Sequence, residues 1–260
     1  MDYTINSYYL DKPLVKGRGF DVFMPKTPTK KISIFIVHGG AWRYGSRGAF
    51  HGIMEAFCER GYIVASTDYR LNAKDALEQL KDVREAYTAF INLLRDGGYS
   101  TDVAVYGESA GAHLASLLAF ADPSECGEDY TIDGYVKPKL AMLQATPYGF
   151  TKADVLPDNI WKSMVDIAGV EYEKDPQKYE RLSLRNYVRA DNPPTFFLEA
   201  ELENMFPSDK TKLIFKRHRE LGIRSKWKVY SGMEHGFFYE LSRAGQQDAF
   251  GDICEFIENR

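Results

Sequence analysis

Val103-Ala104-Val105-Tyr106-Gly107-Glu108-Ser109-Ala110-Gly111 is the stretch on which the reading of this chain turns. Its first four residues are a continuous apolar run, as a strand buried on both faces of a sheet requires. The last five satisfy G-x-S-x-G, and 110–120, rich in alanine and leucine, reads as a helix able to pack closely on a sheet. The pentapeptide alone carries little weight. With glycine and serine each near ~7% of residues, roughly one chain in ten of this length holds such a match by chance. Strand, tight turn and helix in immediate succession add the weight, because this setting pushes a serine out above a sheet edge. Small residues at Gly107 and Gly111 let strand and helix approach, and the turn predicts a strained backbone at Ser109. The helix start would also face developing negative charge with its dipole and free N–H groups. The plain alternative is a strand-to-helix turn with an incidental serine.

A second motif lies upstream. The apolar run 32–37 ends directly in His38-Gly39-Gly40-Ala41-Trp42. A loop in that place supplies backbone N–H donors to a tetrahedral oxyanion, joined by the N–H of the residue after the serine. Gly40, Ala41 and Ala110 are therefore the expected oxyanion-hole donors, with Gly39 letting the loop fold inward. Otherwise His38 and the glycines merely cap a strand.

The rest of the chain agrees with this setting. Strands are expected over 3–10, 19–24, 62–67, 140–144, 195–198 and 225–230, and helices over 52–60, 208–221 and 249–257. The clearest helix is 75–95, where Leu77, Leu80, Val83, Tyr87, Ile91 and Leu94 recur every three or four residues before Gly97-Gly98. Strands alternating with helices predict a mostly parallel central sheet flanked by helices, and with the two motifs on strand ends this is the α/β-hydrolase fold. Residues 1–260 are read as one domain. The stretch 145–192, between the sixth and seventh strands, is too long for a plain connection and predicts a cap or lid insertion.

In this fold the order is serine, acid, histidine. The chain has five histidines, and His38 and His51 precede Ser109. His113, one helical turn past the serine, is expected to pack or hydrogen-bond at the helix flank. His218, among Lys212, Lys216, Arg217 and Arg219, is expected to be solvated. His235 remains, in the loop Ser231-Gly232-Met233-Glu234-His235-Gly236-Phe237 after the last strand, and its ordinary pKa near ~6.5 suits general-base work. The acid should follow the strand 195–198, which offers Glu199, Glu201, Glu203 and Asp209. Glu203 is the first choice because the loop turns there before the helix opening at Ser208, and Glu201 and then Asp209 follow.

Composition removes other classes. The 260 residues are 44% hydrophobic and 27% charged with a net charge of -4, which offers no field for nucleic acid. No apolar run has the length of a membrane span, and the opening MDYTINSYYLDKP lacks the basic start and apolar stretch of a secretory leader. Three cysteines, Cys58, Cys126 and Cys254, without C-x-x-C pairing fit a reduced, cytoplasmic setting. With no Cys/His cluster and no H-E-x-x-H, neither a metal nor a cofactor is expected. Seventeen tyrosines and sixteen phenylalanines should supply core and cleft walls.

The set HGGAW, DYRL (68–71), GESAGAHLA, NPPTFFLEAELE and GMEHGF resembles the hormone-sensitive-lipase-like esterases, and most closely the bifunctional feruloyl/acetylxylan esterase branch; kynurenine formamidase is more distant. The likeness runs from about residue 20 to 257. It implies Ser109, His235 and Glu203 as triad and Gly40, Ala41 and Ala110 as oxyanion donors. Glu203 falls where relatives carry aspartate in G-x-x-D, and Ala200 stands where their glycine does. The resemblance implies a serine carboxylic-ester hydrolase needing no cofactor and acting on small-molecule or oligosaccharide esters, short-acyl or feruloyl esters of plant-derived sugars among them. An arylformamidase-like amide hydrolase and a non-catalytic binding protein on the same scaffold are the rivals.

Overall fold

The computed structural model describes residues 2–150 and 156–259. Eight strands form one sheet: β1 Tyr3–Tyr9, β2 Gly19–Pro25, β3 Ser33–Val37, β4 Val64–Thr67, β5 Val103–Glu108, β6 Leu140–Gln144, β7 Thr195–Leu202 and β8 Ser225–Glu234. Their order across the sheet is β1-β2-β4-β3-β5-β6-β7-β8. β2 runs antiparallel to both β1 and β4, and every pair from β4 to β8 is parallel. The helices are α1 His51–Glu59, α2 Ala76–Asp96, α3 Ala110–Phe120, α4 Asp158–Ala168, α5 Pro176–Arg181, α6 Ser208–Glu220 and α7 Ala244–Glu258.

Strand periodicity divides the core. Phe35, Val37, Val103 and Val105 face a layer built from α2 and α3, while Ile34, Ile36, Ala104 and Tyr106 face one built from α1 and α7. Both layers are buried, so the central strands read as unbroken apolar runs. The amphipathic face of α2 is launched by Asp75, whose side chain accepts from the N–H groups of Leu77 and Glu78. All eleven residues of α3 are buried, which explains its alanine content: larger side chains would hold it off the sheet.

Between β6 and β7 the chain carries α4, α5 and a 3-10 turn, Leu184–Tyr187, against the α2/α3 layer. This is the stretch 145–192 in which an insertion is expected; its residues 151–155 lie outside those described. Among the described residues no helix is long and apolar enough to cross a membrane.

Two local expectations fail. His218 is fully buried rather than solvated, lodged beside the rings of Phe120 and Phe197. The cationic face of α6 is real, but His218 sits on the other face, and burial pulls its pKa down to about 4. The histidine-bearing segment is also less of a loop than its sequence suggests, since β8 continues to Glu234 and His235 is the first residue beyond it.

Candidate active site

The strands around β5 deliver their C-terminal ends to one edge of the sheet, where a parallel fold gathers functional groups. Ser109 sits between β5 and α3 with φ 54° and ψ −120°, the positive-φ conformation of a sharp strand-to-helix turn. Its flanking glycines are sterically required. A Cβ on Gly107 would lie 2.5 Å from the Gly111 carbonyl oxygen, and one on Gly111 would lie 2.1 Å from the Val37 carbonyl oxygen.

Ser109 Oγ donates to His235 Nε2 over 2.9 Å, and His235 Nδ1 lies 2.8 Å from both carboxylate oxygens of Glu203. Three of the residues singled out in the sequence therefore form one hydrogen-bonded chain. Glu203 is fixed from behind, because its Oε1 also accepts the N–H groups of Met205 at 2.8 Å and Phe206 at 3.1 Å. Burial would raise the Glu203 pKa, but the hydrogen bond and charge of His235 and the two backbone donors outweigh it and lower the value. Burial likewise pulls His235 down, and the hydrogen bond and charge of Glu203 with the charge of Glu108 bring it above its ordinary range.

The other acid candidates are occupied elsewhere. Exposed Glu201 accepts from Ser231 Oγ at 2.8 Å and Gly232 N at 2.7 Å, fastening β7 to β8. Glu199 is buried within β7 and accepts from Thr211 Oγ1. Asp209 lies exposed in the first turn of α6.

The loop after β3 is held in an unusual shape. Gly40, Ala41 and Trp42 have φ of 114°, 47° and 61°, and the turn is closed by the N–H groups of Arg43 and Tyr44 donating to the Gly40 carbonyl at 3.0 and 2.8 Å. Several anchors hold it. Tyr69 stacks on His38 at 4.3 Å and donates to the His38 carbonyl. Buried Gln79 donates to the Trp42 carbonyl at 2.7 Å, and the Trp42 indole N–H donates to His113 Nδ1 at 3.2 Å. His113 must then carry its proton on Nε2, which donates to the Leu182 carbonyl at 2.8 Å. Burial takes the His113 pKa down to about 4, so the ring is neutral and links the loop, α3 and the insertion. His113 thus packs and bonds at the helix flank, as its position suggests.

Sequence reasoning passed over Glu108. Its carboxylate is 3.6 Å from His235 Nε2 and takes a hydrogen bond from the Gly39 backbone. Gly39 and Gly236 leave it room, since Cβ atoms there would come within 2.0 and 2.9 Å of its oxygens. The signal was a charged residue at the end of an apolar strand, beside the serine. Among the described residues no group of three or more His, Cys, Asp or Glu is arranged to hold a metal ion.

Comparison with known proteins identifies a family and a fold. The BD-FAE family profile matches residues 20–217, which include Ser109 and Glu203. Esterase LipQ of Mycobacterium tuberculosis is 27% identical over 206 residues, 75% of this chain and 48% of LipQ. An acetylxylan esterase of Xylanibacter ruminicola is 23% identical over 222 residues, 83% of this chain and 42% of the relative. The chain thus spans about half the length of these curated relatives. Among solved structures, esterase B of Lactobacillus rhamnosis superposes with a TM-score of 0.83 at 17% identity, covering 99% of this chain and 86% of the other. That likeness establishes the α/β-hydrolase fold.

Proposed function

The chain belongs to the BD-FAE family, and from that premise we propose that it is a serine carboxylic-ester hydrolase. One observation carries the reading: the hydrogen-bonded chain from Ser109 Oγ through His235 to Glu203. Ser109 Oγ attacks the ester carbonyl while His235 Nε2 takes its proton, and Glu203 holds the Nδ1–H tautomer and stabilises the imidazolium that forms. The N–H groups of Gly40, Ala41 and Ala110 receive the negative charge of the tetrahedral intermediate. The imidazolium then protonates the departing alcohol, water attacks the acyl-serine with His235 again as base, and the acid is released.

We assign the substrates to short-acyl or feruloyl esters of plant-derived sugars. Supporting this are the family and the xylan-directed relative. Residues 145–192 are the cap of a single domain spanning 1–260, tied to the oxyanion loop through His113 and Leu182. Three buried, unpaired cysteines suit the reducing, cytoplasmic setting we propose.

A fluorophosphonate probe tests the chemistry: it should label the wild-type chain and fail on Ser109→Ala. Acetylated xylo-oligosaccharides, feruloyl esters, p-nitrophenyl esters and N-formylkynurenine test the substrate. Hydrolysis of p-nitrophenyl esters alone would remove support for the sugar assignment, and preference for N-formylkynurenine would replace ester with amide chemistry.

A further inference from the structure

The loop after β3 is costly to hold in shape. Ala41 and Trp42 follow Gly40 into the positive-φ region, at 47° and 61°, where a residue bearing a side chain is strained. Such a turn persists only where its surroundings over-determine it. Gln79 and His113 anchor it at Trp42. Arg43, whose backbone N–H closes the turn onto the Gly40 carbonyl, anchors it a second time through its side chain.

That guanidinium joins three parts of the chain. Nη1 donates to the carbonyls of Leu71 at 3.1 Å and Ala73 at 2.8 Å, in the segment between β4 and α2. Nε donates to Asp166 Oδ2 at 2.5 Å and Nη2 to the Asp166 carbonyl at 3.4 Å, in the last turn of α4. A cation there also complements the negative end of the helix dipole. The end of α4 is seated on the same segment, since a Cβ on Gly169 would lie 3.2 Å from the Lys74 carbonyl oxygen. Lys178 of α5 adds a bond to Asp75 at 2.8 Å. The insertion therefore meets the sheet-bearing body at 73–75, and Arg43 spans the joint.

The contact does little for stability. The side chains of Arg43 and Asp166 are 26% and 57% exposed, and ion pairs that open contribute little. Its content is geometric. A planar fork with five donors holds two carbonyls and a carboxylate at once, which a lysine ammonium on a flexible stem does less rigidly. Only Trp42 separates Arg43 from Ala41, so the fork's position is passed to the oxyanion donors through a tight turn.

We propose that Arg43 is a positioning residue that sets the oxyanion hole according to how α4 is seated. The inference rests on the esterase reading and adds the insertion to its apparatus. With α4 docked, Asp166 and Arg43 keep the N–H groups of Gly40 and Ala41 aimed at the developing oxyanion. Losing that aim weakens binding of the transition state and leaves substrate binding nearly intact.

The test pairs steady-state kinetics on p-nitrophenyl acetate with inhibition by a trifluoromethyl ketone. Ser109 Oγ adds to that ketone's carbonyl carbon to give a tetrahedral alkoxide, while His235 takes the serine proton. Arg43→Ala should lower kcat about 10- to 100-fold, change KM less than about threefold, and raise the inhibitor Ki by about the factor that kcat/KM falls. Arg43→Lys should recover part of the loss. Asp166→Ala should lower kcat about three- to tenfold, and adding it to Arg43→Ala should cost nothing more, because the influence of α4 passes through the guanidinium. Lys162→Ala, exposed on the same helix, should leave kcat unchanged.

Unmoved kcat and Ki in Arg43→Ala, a loss confined to KM, or additive losses in the double variant overturns the proposal. Amide exchange reads the coupling without turnover. The Arg43 and Tyr44 N–H groups, protected by the Gly40 carbonyl, should exchange faster in Asp166→Ala than in the wild type. Unchanged exchange counts against the proposal even where esters are hydrolysed. Faster exchange in a chain whose wild type hydrolyses no ester supports the coupling and counts against the esterase reading alone.

Discussion

The carboxylate of Glu108 lies 3.6 Å from Nε2 of His235, while Glu203 holds the other ring nitrogen at 2.8 Å. The imidazole therefore stands between two acids with different tasks. Glu203 is lowered into its ionised form by His235 and backbone donors. Glu108 is raised, chiefly by burial and further by Glu203, against the attraction of His235 and the Gly39 hydrogen bond. Because Glu108 also binds the Gly39 backbone, it couples the loop to the histidine, which makes it a positioning residue.

Replacing Glu108 by glutamine should shift the acid limb of the pH–activity profile. The base must be neutral to accept the serine proton, so activity rises with pH through the His235 pKa. The negative charge of Glu108 helps to raise that pKa, and its removal should move the limb to lower pH. The limb is read from kcat/KM between pH 4.5 and 8. An unmoved limb would leave Glu108 with a structural role only.

Glu203→Gln should lower kcat by about 100- to 10,000-fold while the variant stays folded by circular dichroism, because an amide no longer enforces the productive tautomer. Asp209→Asn and Glu201→Gln should change kcat only slightly, since neither carboxylate contacts His235. Steady-state kinetics on the three variants decides it, and a severe loss in Asp209→Asn with little in Glu203→Gln would overturn the assignment.

The four-way choice of acid shows where the sequence stops being legible. Glu199, Glu201 and Glu203 are spaced by two and would share one face of an ideal strand. The β7/β8 register shifts between Ala200 and Leu202, and the three side chains part: Glu199 inward, Glu201 to β8 and Glu203 to His235. No local pattern encodes that irregularity. The bounds of α3 and β6, by contrast, were legible to the residue, because apolar runs ended by glycine or polar residues are local signals. His218 was misread for a related reason. The charged residues around it describe one face of α6, whereas its own burial depends on Phe120 and Phe197 from distant parts of the chain.

Gly40→Ala should cost about 100- to 1,000-fold in kcat, the usual effect of losing an oxyanion donor. At φ 114° an alanine is strained, and its Cβ would approach the Tyr44 carbonyl oxygen to 2.3 Å, forcing the turn open. The loss should appear in kcat more than in KM if the loop acts on the transition state. A change confined to KM would argue that the loop only shapes the substrate site.

Glu199 supplies a pH dependence of stability that is separate from catalysis. Burial raises its pKa from 4.5 to about 8, against the Thr211 hydrogen bond and with help from the charge of Glu203. A folded-state value above the unfolded one means that the native chain holds this proton longer. Its contribution is intact below about 4.5 and is lost progressively as pH climbs through about 8, where ionising the buried group costs on the order of a few kcal/mol. Glutamine keeps an acceptor for Thr211 and never ionises. Glu199→Gln should therefore raise Tm by several degrees at pH 8.5 and change it little at pH 5, judged from thermal melts at one scan rate. Parallel wild-type and variant curves across that range would mean that Glu199 is already ionised in the native protein, with solvent or a rearranged neighbour stabilising its charge.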